Sequence, residues 1–213
     1  MTTMPPLLLS AGMSCQTTHQ LRRLAGAGRT RTVSTPFDWL IAPARRLAHW
    51  VEAGLPDFSP GDIVAERGRA YWPLYGIWFW HGFLDGPKGA RHLDIGATFE
   101  REREKLAHQR RNLRRAGERG AQFVVSNLQN NLEGHVFAPH EMGLAHLDGP
   151  ALAALQEALE GWLDRDVVLH ALTRADRSDP HAPGLRRVPP GDSEWKGDDT
   201  VWDRFAASLS AGS

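Results

Sequence analysis

Short apolar runs alternate with helical patterns along the chain, and this alternation constrains the fold more than any other feature. Residues 77–80 and the runs PPLLLSAG, AQFVVSNL and DVVLHALTRA have the length and composition of strands. Helical patterns cover residues 15–25, 98–116 and 199–209 and the segments PARRLAHWVEAGL and ALAALQEALEGWLD. Strands that alternate with helices predict an α/β (α+β) layered fold, with a central sheet flanked by helices.

The chain has 213 residues, of which 41% are hydrophobic, and this is enough for one domain with a buried core. We therefore expect a single domain over residues 1–213. From about residue 178 the sequence is rich in Pro, Gly and Asp, which predicts a loop-rich C-terminal tail.

A single cysteine, Cys15, excludes an internal disulfide framework and a zinc cluster built on cysteines. No apolar run reaches the length of a transmembrane helix, and the run from Leu7 to Leu9 is too short for the core of a signal peptide. We therefore expect a cytoplasmic protein without a membrane partner. No motif predicts a bound cofactor, and the sequence leaves the oligomeric state open.

Charge divides the sequence into a basic and an acidic part, although the net charge is zero. Residues 1–119 hold 18 Lys and Arg against 11 Asp and Glu, whereas residues 120–213 hold 7 against 14. Attraction between the two parts is a simpler use of these charges than nucleic-acid binding, which we do not expect. We predict that three arginines of the 98–116 helix, Arg110, Arg111 and Arg114, pair with C-terminal aspartates such as Asp198, Asp199 or Asp203.

Cys15 follows the first predicted strand through a glycine turn and begins a helix, for which Ser14 is a candidate cap. Unpaired N–H groups and the helix dipole at that position favour a thiolate, so we expect a lowered pKa and a nucleophilic thiol. The N–H groups of Cys15 and Gln16 would then hold the oxyanion formed when the sulfur attacks a carbonyl. The alternative is a small buried hydrophobe, the usual role of a lone cysteine.

A cysteine nucleophile needs a base, and two histidines are candidates. His19 lies one turn after Cys15 on the same helix, where the geometry seldom aligns an imidazole with the sulfur. His81 ends an apolar strand beside Gly82, and a rigid strand would present it at the edge of the sheet. The alternative for His81 is a structural histidine at a strand end.

Two other motifs are weaker. The segment PHEMGLAH, with His135 upstream, superficially resembles a metalloprotease box, but Leu144 stands where the second histidine belongs, so we expect no zinc site. The segment AGAG at residues 25–28 lacks the Gly-Lys-Ser/Thr end of a phosphate-binding loop.

Four segments, in sequence order, resemble a bacterial family of unknown function that is grouped with the papain-like cysteine peptidases. They are LSAGMSCQTTHQLRR, STPFDWLI, GIWFWHGF and HQRRNLRRAGERGAQFVVSN, and the late segment WKGDDTVWDRF looks like the Trp-rich end of the family. The likeness spans about residues 7–209, and PFDWL after a Cys-Gln helix is its most specific part.

The resemblance implies a papain-like core with Cys15 as nucleophile, His81 as base, and a peptide or other acyl compound as substrate. The family usually has an aspartate after this histidine, and Gly82 replaces it here. Asp38 and Asn127 are both candidates for the group that orients the imidazole.

Asp38 lies between two aromatic residues, Phe37 and Trp39. An unpaired carboxylate in such a segment would lose several kcal/mol of hydration energy, so we expect Asp38 to be partly buried and hydrogen-bonded. Strand alternation that points Asp38 to water is an equally good alternative.

Three functions follow from these patterns. The first is a cysteine-dependent hydrolase or acyltransferase that uses Cys15 and His81. The second is a non-catalytic papain-like fold that binds a peptide or glycan in an aromatic cleft, for which the candidates are Trp39, Trp72, Trp78 and Trp80. The third is an interaction domain that self-associates through its oppositely charged parts.

Overall fold

The computed structural model describes residues 4–132, 136–191 and 195–210. Within them the helices are α1 Cys15–Gly26, α2 Ala44–Glu52, α3 Ile95–Glu118, α4 Gly149–Leu163 and α5 Asp199–Ser210. The strands are β1 Leu8–Ser10, β2 Val64–Glu66, β3 Arg69–Trp72, β4 Ile77–Phe79, β5 Leu84–Asp85, β6 His92–Leu93, β7 Gln122–Ser126, β8 Leu169–Arg174 and β9 Leu185–Val188.

The central sheet has four strands in the order β1, β7, β8, β9, and every neighbouring pair is parallel. Parallel strands need crossover connections, which α4 supplies between β7 and β8. The predicted α/β class, with a sheet flanked by helices in a single domain, is therefore confirmed.

Different helices cover the two faces of this sheet because successive side chains of a strand point to opposite faces. Leu9, Phe123 and Val125 pack in the larger core with residues of α2, α3 and α4. Leu8 and Val124 pack in a second core with residues of α1 and α5.

A smaller antiparallel sheet of β2, β3 and β4 lies outside the central sheet. Its two faces also differ, because Ile77 packs in the larger core while Trp78 and its cross-strand neighbour Tyr71 pack in a third apolar cluster with Cys15. Two backbone hydrogen bonds of 2.9 Å between Ile41 and Trp78 fix β4 beside the segment that contains Asp38.

The acidic helix α5 pairs with α1 and not with α3. Asp203 accepts from Arg23 at 2.7 Å and forms an ion pair with Arg29 at 2.8 Å, whereas Arg110 pairs with Asp57. Within the described residues none of Arg110, Arg111 and Arg114 pairs with Asp198, Asp199 or Asp203, so that prediction is wrong. The reason is that α1 and α5 share one face of the central sheet and α3 covers the other.

The C-terminal segment from residue 178 contains β9 and α5 in addition to its loops. The sequence pattern indicated α5 but not β9, which pairs with β8 as an outer strand of the central sheet. Among the described residues, no helix is both long enough and apolar enough to cross a membrane.

Candidate functional site

A tight turn carries the chain from β1 into α1, and α1 begins at Cys15 as predicted. Gly12 and Met13 both have left-handed backbone conformations, with φ of 81° and 71°. An added Cβ at Gly12 would lie 2.9 Å from Leu47 Cδ1, so the turn requires glycine there for space as well as for conformation. The turn places Cys15 beyond the carboxyl end of a parallel strand, where α/β proteins commonly bind ligands.

The predicted cap of α1 forms a different contact. Ser14 makes no side-chain cap hydrogen bond, and its Oγ donates instead to the carbonyl of Ser126 at 3.0 Å. This bond joins the start of α1 to the end of β7.

Cys15 is completely buried in the third apolar cluster, among Ile41, Trp78, Leu132 and Phe137. Burial raises the pKa of the thiol well above its usual range, and the Arg69 guanidinium and the backbone N–H of Cys15 lower it only in part. The expected lowered pKa is therefore wrong in this structure. The helix N-terminus favours the thiolate, but the loss of hydration is the larger effect.

His81 lies in the turn after β4, in the small sheet and not at the edge of the central sheet. His81 is an exposed residue, and its ring contacts two others, with centroids 5.2 Å from Trp39 and 6.4 Å from Trp195. Partial loss of hydration lowers the pKa of His81, as do the positive charges of Arg69, Lys105 and Arg91. In the described part of the chain, no hydrogen bond joins Cys15 Sγ to His81.

His19 meets the same tryptophan from α1, with its ring centroid 5.2 Å from that of Trp195. Partial burial lowers its pKa, Lys196 and Arg23 lower it further, and Asp199 opposes them. Trp195 therefore lies against both histidines that the sequence offered as bases.

The carboxylate of Asp38 is buried, with 4% of its side chain exposed. It accepts hydrogen bonds from Thr18 and Thr35, each at 3.4 Å, and forms an ion pair with Arg22 at 2.9 Å. The expectation of a buried, hydrogen-bonded Asp38 is confirmed. Because Thr18 and Arg22 belong to α1, these bonds hold the helix that carries Cys15, and His81 is not among the partners.

Asp38 should make the protein less stable as pH rises. Burial raises its pKa above 3.8, against the opposing effect of Arg22. The native state therefore binds the proton more tightly than the unfolded state, and this stabilisation is lost as pH rises from 3.8 through the raised native pKa.

We expect the free energy of unfolding of the wild type to fall, relative to Asp38→Asn, as pH rises above 3.8. Urea unfolding of both proteins across this range measures the difference, and other titrating groups cancel in it. A wild type that instead gains stability relative to the asparagine variant would show that Arg22 dominates.

The side-chain oxygen of Gln129 accepts the N–H of Gln16 that was predicted to hold an oxyanion. The N–H of Gln16 donates to Gln129 Oε1 at 3.2 Å, so this predicted oxyanion donor already has an acceptor. The side chain of Gln16 donates to the carbonyl of Trp195 at 3.1 Å and packs against Gly197. Gln16 therefore anchors the C-terminal segment next to Cys15.

Asn127 is fully buried directly after β7, and its side chain makes three hydrogen bonds. Its Nδ2 donates to the carbonyls of Ala145 and Arg177, each at 2.9 Å, and its Oδ1 accepts from the N–H of Arg174 at 3.0 Å. These bonds tie the end of β7 to the Pro139–Ala145 segment and to the end of β8 with the turn that follows it. Both N–H donors of the Asn127 amide are therefore used, and in the described residues no hydrogen bond joins Asn127 to His81.

Gly82 has little room for the aspartate that the family carries. A Cβ at this position would lie 3.0 Å from Phe79 Cβ and 3.6 Å from Glu102 Oε2. An aspartate side chain would therefore crowd Phe79 and face a second carboxylate.

The four predicted tryptophans divide into two groups. Trp72 and Trp78 are core residues with 2% and 5% exposed, whereas Trp39 and Trp80 are half-buried at the surface. Trp195 contacts both His19 and His81, and no local sequence pattern indicates this position.

The sequence analysis did not identify Arg69 as a residue of the candidate site. The alternation in the segment RAYW separates Arg69 and Tyr71 from Ala70 and Trp72, and this was the available signal that Arg69 shares a face with the aromatic residues near Cys15.

No group of three or more His, Cys, Asp or Glu side chains in residues 4–132, 136–191 and 195–210 could hold a metal ion. His135, upstream of the metalloprotease-like segment, lies outside the described residues. Pro139–Ala145 of that segment form a 3-10 helix.

The fold and the site together define a mixed α/β protein with a buried thiol beside a surface of half-buried aromatic rings. No protein-family model, curated protein or solved structure matches this chain.

Proposed function

We propose that this chain is a peptide-binding protein built on a papain-like core, and that the peptide lies on four rings, His19, Trp39, His81 and Trp195, which we call the ring cluster. The ring contacts support this role, since these residues come from four separate parts of the chain and meet with centroids 5.2–6.4 Å apart. Aromatic residues that are half-buried and partly exposed are typical of binding surfaces.

The backbone of Trp39 carries the proposal. Its φ of 62° lies in the left-handed region, which costs a bulky residue about 1–3 kcal/mol. Thr18 Oγ accepts the N–H of Trp39 at 3.3 Å and helps to hold this conformation. A strained residue that presents an aromatic ring at the surface is more easily explained by binding than by packing.

The ring faces favour a peptide over a glycan. A sugar stacks on a free aromatic face, but the guanidinium of Arg22 lies 5.4 Å from the Trp39 ring centroid and that of Arg69 lies 4.7 Å from the Trp80 ring centroid. Both rings also pack against the Cys15 cluster. The cations and the partly exposed rings suit the acidic and apolar side chains of a peptide.

Selection of a random peptide library on the full chain tests the proposal. We expect Trp39→Ala and Trp195→Ala to weaken the selected peptides by about tenfold or more. Trp162→Ala, on α4, is the matched control and should leave their binding unchanged. Selected peptides that bind both ring-cluster variants as tightly as the wild type, or a failure to select any peptide, would refute the proposal.

Thiol hydrolysis or acyl transfer is the second candidate. Two observations favour it: Cys15 begins a helix at the carboxyl end of β1, and Arg69 lowers the pKa of its thiol in part. The cysteine also precedes the histidine, as in the family that the sequence resembles. Against it stand the complete burial of Cys15 and the use of Gln16 N–H and Asn127 in other bonds.

The variant Cys15→Ser separates the two functions. Under the binding proposal it binds selected peptides like the wild type, and neither protein cleaves or acylates them. Turnover of a selected peptide by the wild type, lost in Cys15→Ser with binding retained, would establish the second candidate.

A further inference from the structure

Arg69 belongs to the side of the small sheet that faces the buried thiol. In β3 it alternates with Ala70, which packs in the larger core, so its side chain lies on the face of Tyr71 and Trp78. Its guanidinium lies over the ring of Trp80, 4.7 Å from the centroid. Trp80 packs against the Cys15 cluster together with Trp39 of the ring cluster, so Arg69 lies on the same side of that cluster.

The Arg69 guanidinium makes one hydrogen bond among the described residues: Nη1 donates to the carbonyl of Gly68 at 3.1 Å. Nε is buried and has no acceptor in the part of the chain that the structure describes. No hydrogen bond from Nη2 to a described residue is present either. Nε and Nη2 form the edge of a guanidinium that binds a carboxylate through two parallel hydrogen bonds.

Arg69 also lacks a counter-ion among the described residues. Glu66 lies directly across from it in the β2–β3 pairing, but the carboxylate of Glu66 pairs with Arg67 at 3.9 Å. A buried donor without a partner costs free energy, and a carboxylate supplied by a ligand would recover it.

We propose that Arg69 is the specificity-determining residue of the ring cluster, and that its free Nε–Nη2 edge binds a carboxylate of the ligand. This inference rests on the proposed peptide-binding function and names the chemical class of the ligand. The carboxylate pairs with the fork of Arg69 while an adjacent apolar group contacts the rings of Trp39 and Trp195. The contact of the Arg69 guanidinium with the Trp80 ring fixes the plane of the guanidinium. The recognition of the carboxylate therefore depends on geometry as well as on charge.

A matched pair of small probes tests this inference. N-acetylphenylalanine and N-acetylphenylalaninamide differ only in the carboxylate, and N-acetylglutamyl-phenylalaninamide offers the carboxylate from a side chain instead of the C-terminus. We expect the wild type to bind at least one of the acids about tenfold or more tightly than the amide, measured by NMR titration of the full chain. Comparison of the two acids shows which source of carboxylate fits.

Variants of Arg69 should remove this preference. Arg69→Met should bind acid and amide equally, and Arg69→Lys should keep only part of the preference, since an ammonium lacks the fork. Arg103→Met, an exposed arginine on α3, is the control and should keep the full preference. Arg69→Met should also melt at the same temperature as the wild type or higher, because it removes an unpaired buried donor.

Each other outcome has a distinct meaning. Equal affinity of the wild type for the acids and the amide overturns the role of Arg69 while ring-cluster binding stands. Failure of all three probes to bind, or tighter binding of inorganic phosphate than of any carboxylate, also overturns it. A large drop in the melting temperature of both Arg69 variants would assign Arg69 to folding. Loss of peptide binding in Trp39→Ala is independent of these results.

Discussion

Native protein should react with iodoacetamide at least about a hundredfold more slowly than the same protein in urea at mildly alkaline pH. Two effects combine to give this result. Burial raises the pKa of Cys15, so the reactive thiolate is scarce, and the completely buried sulfur is reached only when the structure opens. The measurement is the rate of alkylation, followed by mass spectrometry of the single cysteine.

A variant that opens the site provides the control. Trp195→Ala removes the ring beside His19 and His81 and weakens the cover next to Gln16, so its native alkylation should be faster than that of the wild type. Its rate in urea should be unchanged. Rapid alkylation of the native wild type that levels off near neutral pH would reveal an activated thiolate and would favour the hydrolase over the binding protein.

Trp202→Ala should lower the free energy of unfolding by about 3–5 kcal/mol, the usual cost of removing a large buried aromatic side chain. Trp202 is completely buried in the core between α5, α1 and the central sheet, together with Phe205 and Leu24. Equilibrium unfolding in urea measures the loss. The size of this effect follows from the apolar area returned to water and from the cavity that remains.

The ion pairs of the same helix should contribute much less. Asp203 pairs with Arg23 and Arg29, but about a third of the Asp203 side chain is exposed. Asp203→Asn should therefore destabilise the protein much less than Trp202→Ala does, and added salt should reduce the effect further. If Asp203→Asn destabilises the protein more than Trp202→Ala does, charge and not packing holds α5 in place.

The sequence predicted the candidate site only in part. It identified the position of Cys15 at the start of α1 and the buried state of Asp38, because a glycine turn and a carboxylate between two aromatic residues are local patterns. It did not predict the raised pKa of Cys15, the acceptor of the Gln16 N–H or the bonds of Asn127. Each of these depends on a residue more than a hundred positions away or on a neighbouring loop, as in the Gln16 to Gln129 bond.

Local patterns thus determined where the elements begin and what they are, since apolar periodicity, glycine turns and helix-stop residues act over a few positions. From these the α/β class, the limits of α1 and the long helix α3 could be read before the structure was known. Packing decided which surfaces meet. Only the tertiary structure showed that α5 lies on α1, so that Asp203 meets Arg23 and not Arg110, and that Trp195 contacts both His19 and His81. Burial and charge pairing are sums over neighbours that are distant in sequence, and no local pattern records which neighbours those are.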